Sequence, residues 1–326
     1  MEKNKVSVII PIYKVEKFIE RCVRSLMEQT LQEVEYIFVD DATPDKSIEV
    51  LERCLALYPD RKTEILHHSQ NKGLPAARNT GLQVATGKYI FHCDSDDYVE
   101  HDMLEKLYQQ AEETNADIVW CDWFLTFAEN ERYMKQPDYE TPIDALKGIL
   151  NGSMKYNVWN KLVKYSLYEE NGICFPAGYG MGEDMTMIRL FACAQRVAYL
   201  PKAFYHYVKL NTDAFTQTYS EKHLQDVRYN VNQTLAYLKE QNSLGLEQEM
   251  AWFMLNVKLP FIISDRKEEY ERWQAWYPEA NPFIWKNKQQ AFRTRLVQWM
   301  AWKGQFWFVW LYYKLIYQLV YGVIYR

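Results

Sequence analysis

YIFHCDSDDYVE, residues 89–100, sets three aspartates, Asp94, Asp96 and Asp97, directly after a short apolar run. Carboxylates this close repel one another, which raises at least one pKa unless a cation is near. The run before them reads as a strand, so the acids stand at its carboxyl end. The same layout occurs upstream. VEYIFVDD (34–41) is an apolar run closed by Asp40 and Asp41, and VSVIIPIY (6–13) is an almost unbroken β-branched run containing Pro11. Such runs suit parallel strands covered on both faces.

Helical spacing fills the gaps. VEKFIERCVRSLMEQT (15–30) spaces Phe18, Ile19, Cys22, Val23 and Leu26 along one helix face. DKSIEVLERCLALY (45–58) is a second helix with Asp45 as its N-cap, and LPAARNTGLQVAT (74–86) a third with Pro75 in its first turn. TEILHH (63–68) and ADIVWCDWF (116–124) are further strands, with the helix DMLEKLYQQAEET (102–114) before the latter. This alternation predicts an open, doubly wound, mostly parallel α/β sheet, in which ligands bind beyond the carboxyl ends of the strands. After residue 125 the pattern is irregular. NVWNKLVKYSLYEENG (157–172) and GEDMTMIRLFACAQ (182–195) read as helices, VAYLP and AFYHYV as short strands, and residues 220–326 as purely helical.

Bulk properties narrow the class. The chain has 326 residues, 48% apolar and 25% charged, as in globular proteins. A net charge of −5 gives no reason to expect nucleic acid as a partner. Six cysteines show no C-x-x-C pair and read as reduced core thiols, and no signal-peptide core precedes the first strand, so a cytoplasmic location is expected.

The acids point to chemistry. A hard divalent cation, Mn²⁺ or Mg²⁺, satisfies such oxygen ligands and takes phosphate oxygens as its remaining partners, so a nucleotide phosphate is the implied substrate. No G-x-G-x-x-G follows the first strand, which argues against a dehydrogenase. GLQVATGK (81–88) imitates a P-loop but has the wrong glycine spacing, lacks Ser or Thr after Lys88 and ends a helix instead of starting one.

VSVIIPIYKVEKFIERCVRSLMEQT, YIFVDDATPD, NKGLPAARNTGL, GKYIFHCDSDDYV and GEDM stand in the order and spacing of the family 2 glycosyltransferases, and the chain resembles that family over residues 5–210. The resemblance implies a GT-A catalytic domain at 1–215, with a nucleotide-sugar half (1–100) and an acceptor half (101–215), followed by a helical region at 216–326. It implies that Pro11, Tyr13, Glu16 and Asp40 form the base pocket, usually for uracil. Arg78 would approach the diphosphate. Asp94 and Ser95 would bind the donor and Asp96 the metal, with Asp97 behind them. Asp184 would be the catalytic base of an inverting transfer, and Glu183 and Trp159 would lie on the acceptor side. The implied activity moves a hexose or N-acetylhexosamine from a nucleotide sugar to a glycan or lipid-linked acceptor. His206 reads either as an extra metal ligand or as a packed core residue. Two stretches depart from the family: Lys14 stands where many relatives have Asn, and NTDAFTQT (211–218) lacks an arginine, leaving Lys209 as a substitute. A nucleotidyltransferase lacks support because no Gly-rich basic loop follows the first strand. A non-catalytic sugar-nucleotide binder would not need Asp184.

Residues 280–326 carry seven Lys and Arg and no acid, leaving −12 on the first 279. QFWFVWLYYKLIYQLVYGVIY (305–325) is long enough to span a membrane, but its tyrosines, tryptophans and central lysine prefer the headgroup zone. Lys314, Gln318, Tyr321 and Tyr325 form a polar-tipped stripe at helical spacing. The expectation is peripheral contact of 286–326 with the inner face of the membrane. Packing back on the catalytic domain or in a homodimer is the alternative.

Overall fold

The computed structural model describes residues 4–180, 182–209, 220–241 and 244–316, and for Asp184 the backbone alone. The chain divides into two compact units. One is Met1–Ala145 with Tyr156–Tyr237; the other is Leu146–Lys155 with Leu238–Arg326. The expected boundary at 215/216 falls outside the described residues.

The first unit is built on nine strands among the described residues. They are β1 (Val6–Ile12), β2 (Val34–Asp40), β3 (Lys62–His67), β4 (Tyr89–His92), β5 (Tyr98–Val99), β6 (Ile118–Thr126), β7 (Glu131–Met134), β8 (Lys161–Lys164) and β9 (Val197–Val208). The spatial order is β3-β2-β1-β4-β8-β6-β9-β5, with β7 paired to β6. Strands β3, β2, β1 and β4 are mutually parallel, whereas β8 runs antiparallel to both β4 and β6. Helices α1 (Ile19–Met27), α2 (Ser47–Leu55), α3 (Leu74–Val84) and α4 (Met103–Thr114) follow β1, β2, β3 and β5. Every residue of β1, β2 and β4 is buried, as in parallel strands covered on both faces.

Two glycines of the P-loop imitation turn out to be packing positions. A Cβ on Gly81 would fall 2.5 Å from Ile9 Cγ2, and one on Gly87 only 2.4 Å from the Ser7 amide nitrogen. They let α3 and the following turn approach β1 closely, a standard use of glycine.

The segment 101–215 differs from its sequence pattern. The segment 157–172 does not form one helix: Lys161–Lys164 is the strand β8, and only Tyr165–Glu170 is helical (α6, after α5 at Pro142–Asn151). Leu162 and Val163 are buried between β4 and β6, and that pairing overrides the local helical spacing. VAYLP and AFYHYV fuse into the single strand β9, whose register to β6 shifts around Asp122. Helix α7 (Glu183–Cys193) precedes β9 and α8 (Glu221–Glu240) follows it. All six cysteines are free thiols.

The second unit is helical, with α9 (Glu247–Lys258), α10 (Lys267–Ala275), α11 (Phe292–Trp302) and α12 (Phe306–Tyr312). Its core holds a buried ammonium. Lys258 Nζ donates to the Trp276 carbonyl (2.8 Å), the Tyr277 carbonyl (3.2 Å) and Asn281 Oδ1 (2.6 Å), and lies 4.1 Å from the centre of the Trp273 ring. Val309 is the buried residue of α12, while Trp307, Trp310, Leu311 and Leu315 are exposed. Spaced i, i+3, i+4 and i+8, they form an outward apolar stripe. Lys314, expected in a polar stripe, pairs with Asp265 at 2.9 Å. Gln318, Tyr321 and Tyr325 lie outside the described residues. No helix among the described residues is long and apolar enough to cross a membrane.

Candidate active site

The strand order makes the site. β2, β1 and β4 are parallel neighbours, so their carboxyl ends bring Asp40, Pro11 and the 94–97 acids to one edge of the sheet. Ser95 Oγ donates to the Pro11 carbonyl at 2.7 Å and ties two of these ends together.

Beyond β1 the chain is held by its own backbone amides. Lys14 takes a left-handed conformation (φ 56°), its amide donates to Thr43 Oγ1 at 2.8 Å, and the Glu16 amide donates to Asp45 Oδ2 at 3.1 Å. Glu16 in return accepts from the Lys46 amide at 3.1 Å. Tyr13 stays exposed, with its ring available for stacking. Asp40 accepts from the Thr43 amide (2.8 Å) and pairs with His67 Nδ1 (2.9 Å). Asp41 braces the approach to α3: it accepts from the Lys72 and Gly73 amides, both at 2.8 Å, and pairs with His68.

The three aspartates separate into different environments. Asp97 is fully buried. It accepts from Tyr205 Oη at 2.8 Å and from the Val208 amide at 2.7 Å. Burial, with the Asp96 and Asp94 charges, pushes its carboxyl well above the usual range. Tyr205 Oη also accepts from the Asp94 amide at 3.1 Å, so one phenol fixes the turn. Asp94 bonds Arg78 Nη2 at 2.8 Å. Burial nevertheless pushes its carboxyl up to about 7, the guanidinium opposing and the Glu183 and Asp96 charges adding to the rise. Asp96 is half-buried and lends negative charge to both neighbours.

Arg78 joins the two acid groups. It is 1% exposed on α3, and its other terminal nitrogen, Nη1, bonds Glu183 Oε1 in the first turn of α7. Its guanidinium therefore spans from the end of β4 to the residue adjoining Asp184. Asp184 is the second residue of α7; its side chain lies outside the described residues. Behind the site, Lys161 is buried and donates to the Asn157 carbonyl (2.6 Å) and Asn160 Oδ1 (2.9 Å); burial pushes its ammonium down to about 7, with Cys121 and Glu183 opposing.

Two candidates have other employment. His206 Nδ1 meets Glu131 at 2.7 Å and Nε2 meets Glu100 at 2.9 Å, while the ring stacks on Tyr98 and Phe124. Both ring nitrogens meet carboxylates and the ring is buried, an arrangement that suits the core reading of His206. Trp159 is 4% exposed and lies on Tyr205 (4.4 Å between ring centres) and Tyr207 (5.3 Å), which makes it packing under the turn. Sequence reasoning had no role for His67, His68 or Tyr205. The paired histidines at the end of β3 were the available signal, since that strand borders β2.

Among the described residues no three His, Cys, Asp or Glu side chains gather into a metal cage. A cation held by one carboxylate together with substrate phosphates needs no such cage. Asp96, half-buried at the same turn, is a carboxylate of the kind that such a cation takes.

Comparison with known proteins agrees with this architecture. The model of "Glycosyl transferase family 2" matches residues 7–183. The uncharacterized glycosyltransferase EpsJ of Bacillus subtilis is 35% identical over 222 residues, covering 65% of this chain and 63% of EpsJ, so the match leaves over a third of that relative unspanned. Among solved structures, TarS 1–349 of S. aureus, in complex with UDP-GlcNAc, superposes with a TM-score of 0.68 at 21% identity over 95% of this chain and 91% of its own. A mannosyltransferase from Pyrobaculum calidifontis, in complex with GDP-Man and Mn²⁺, gives 0.52 at 16% identity over 96% and 88%. The mixed sheet matches the GT-A fold of that first neighbour, and a helical region follows it in the chain. The chain belongs to glycosyl transferase family 2.

Proposed function

We infer that this protein is an inverting, metal-dependent glycosyltransferase that moves a hexose or N-acetylhexosamine from a UDP sugar to a glycan or lipid-linked acceptor in surface-polysaccharide synthesis. The observation that carries this reading is the Arg78 bridge, which holds Asp94 and Glu183, the residue before Asp184, on one guanidinium. UDP is favoured because a structural neighbour binds UDP-GlcNAc, and Mn²⁺ because another holds it beside GDP-Man.

In this reading Tyr13 and Asp40 receive the base, and Asp94 and Ser95 lie along the ribose side. Asp96 would hold the cation, which would supply positive charge to offset that on the departing diphosphate. Asp184 takes the proton from the acceptor hydroxyl as that oxygen attacks the anomeric carbon, and a single displacement inverts the centre. A panel of UDP and GDP sugars, assayed for nucleoside diphosphate release with Mn²⁺ or Mg²⁺, tests this. Asp96→Ala is expected to weaken Mn²⁺-dependent UDP binding at least about tenfold, as losing a metal carboxylate does. Equal binding and turnover by wild type and variant would remove the metal assignment.

Peripheral membrane contact through 286–326 belongs to the same reading. The exposed Trp307, Trp310, Leu311 and Leu315 stripe and the acid-free basic sequence around it support it. Binding to phosphatidylglycerol vesicles is expected to fall in Trp307→Ser/Trp310→Ser and with rising salt, whereas phosphatidylcholine vesicles should bind poorly. Unchanged cosedimentation of the double variant would exclude this stripe as the contact.

A further inference from the structure

The loop ahead of α7, PAGYGMGE (176–183), has glycine at 178, 180 and 182. Such a segment has little conformational preference of its own. Side chains on α8 hold Gly180 within it. On α8, Asp226 and Asn230 stand one helical turn apart on one face. The Gly180 amide donates to Asp226 Oδ2 at 3.1 Å, and Asn230 Nδ2 donates to the Gly180 carbonyl at 2.7 Å. Both polar groups of one peptide residue are thus taken by the same helix. Asp226 and Asn230 are 7% and 1% exposed, so water competes poorly for these bonds. Alongside them Tyr229 lies flat on Tyr179, with ring centres 3.7 Å apart and planes 6° apart.

The loop is pinned again at its far end. A Cβ on Gly182 would fall 2.0 Å from Pro176 Cγ, so the two residues are in direct contact. The Gly182 carbonyl then accepts from the Thr186 amide and hydroxyl, at 3.2 and 3.1 Å, and so starts α7. All these residues belong to the first compact unit.

We propose that Asp226 and Asn230 are positioning residues for glycosyl transfer: by clamping both backbone groups of Gly180 they fix where α7 begins and hence where its acid pair, Glu183 and Asp184, stands. The inference rests on Asp184 being the base. It assigns α8, which carries none of the residues matched to the family's motifs, a role in the chemical step. The rival role for Asp226 is its ion pair with Lys222 at 3.2 Å. That pair needs the charge of Asp226, whereas the clamp needs only an acceptor oxygen.

The test uses the full chain with the UDP sugar selected by the donor panel, Mn²⁺ throughout, and UDP itself as the binding probe. Asp226→Ala and Asn230→Ala are expected to lower kcat about 10- to 100-fold, with donor KM and UDP affinity within about twofold of wild type, the pattern of a displaced catalytic group. Asp226→Asn keeps an acceptor for the Gly180 amide and is expected to retain wild-type kcat, as is Lys222→Ala. Amide deuterium exchange across 177–184 should rise in the two alanine variants alone. The clamp is overturned if Asp226→Asn falls as far as Asp226→Ala, if donor affinity falls in parallel with kcat, or if exchange in 177–184 is unchanged. Asp184→Asn is run beside them. Full turnover by that variant would remove the base assignment, and the positioning role with it, while the exchange data would still report whether the clamp exists.

Discussion

Asp184→Asn is expected to abolish most transfer, lowering kcat by roughly 10²- to 10⁴-fold while leaving UDP binding intact, the range over which a general base contributes. The asymmetry follows from the layout. UDP is assigned to the ends of β1, β2 and β4, whereas Asp184 is on α7, reached from them through Arg78 and Glu183. An amide is close in size to a carboxylate but takes up no proton, so the acceptor hydroxyl loses its base and little else changes. Glu183→Gln makes the contrast. Its amide oxygen still accepts from Arg78, so it should lose less activity than Asp184→Asn. Measurement of nucleotide release and of UDP affinity on the same preparations separates the cases. If both variants lost UDP binding in step with turnover, the acid pair would be part of the donor pocket.

The donor half was legible because its signal is local. Each of β1, β2 and β4 is a mostly apolar run; Asp40 is the last residue of β2, and Asp94, Asp96 and Asp97 follow β4 within two to five residues. Parallel order then gathers the strand ends without help from the sequence between them. The acceptor half was not legible in this way. Lys161–Lys164 has the composition of a short helix segment, and nothing near it says that it will pair between β4 and β6. The bond from Arg78 to Glu183 spans 105 positions, and the hold of Asp226 on Gly180 spans 46. No spacing rule reaches across such distances. His206 illustrates the converse. A histidine among aromatics reads more readily as core than as a metal ligand, and its pairing with Glu100 and Glu131 on neighbouring segments is not legible in the local sequence.

Arg78→Met should be the most damaging single substitution for stability. Methionine keeps part of the aliphatic stem, so the space is largely filled and the loss is electrostatic. What remains is Asp94 and Glu183, with no guanidinium between them. Removing one partner of a buried ion pair typically costs about 3–5 kcal/mol. In a unit of this size that corresponds to a fall in Tm of roughly 10 °C. The effect should depend on pH, and its sign follows from Asp94. Burial already raises this carboxyl to about 7 against the pull of Arg78, and losing the guanidinium raises it further. The folded variant then holds a proton that the unfolded chain releases near pH 4, the ordinary aspartate value. Its stability is therefore best kept below that pH and is lost progressively as pH rises through the folded value. Urea unfolding at pH 5 and pH 8 should show the gap between Arg78→Met and wild type widening at pH 8. Arg78→Lys should rescue only part of it, because one ammonium cannot present two separate nitrogens to Asp94 and Glu183. A gap equal at both pH values would mean that the guanidinium contributes packing alone, and the electrostatic bridge between the donor-side acids and α7 would lose its basis.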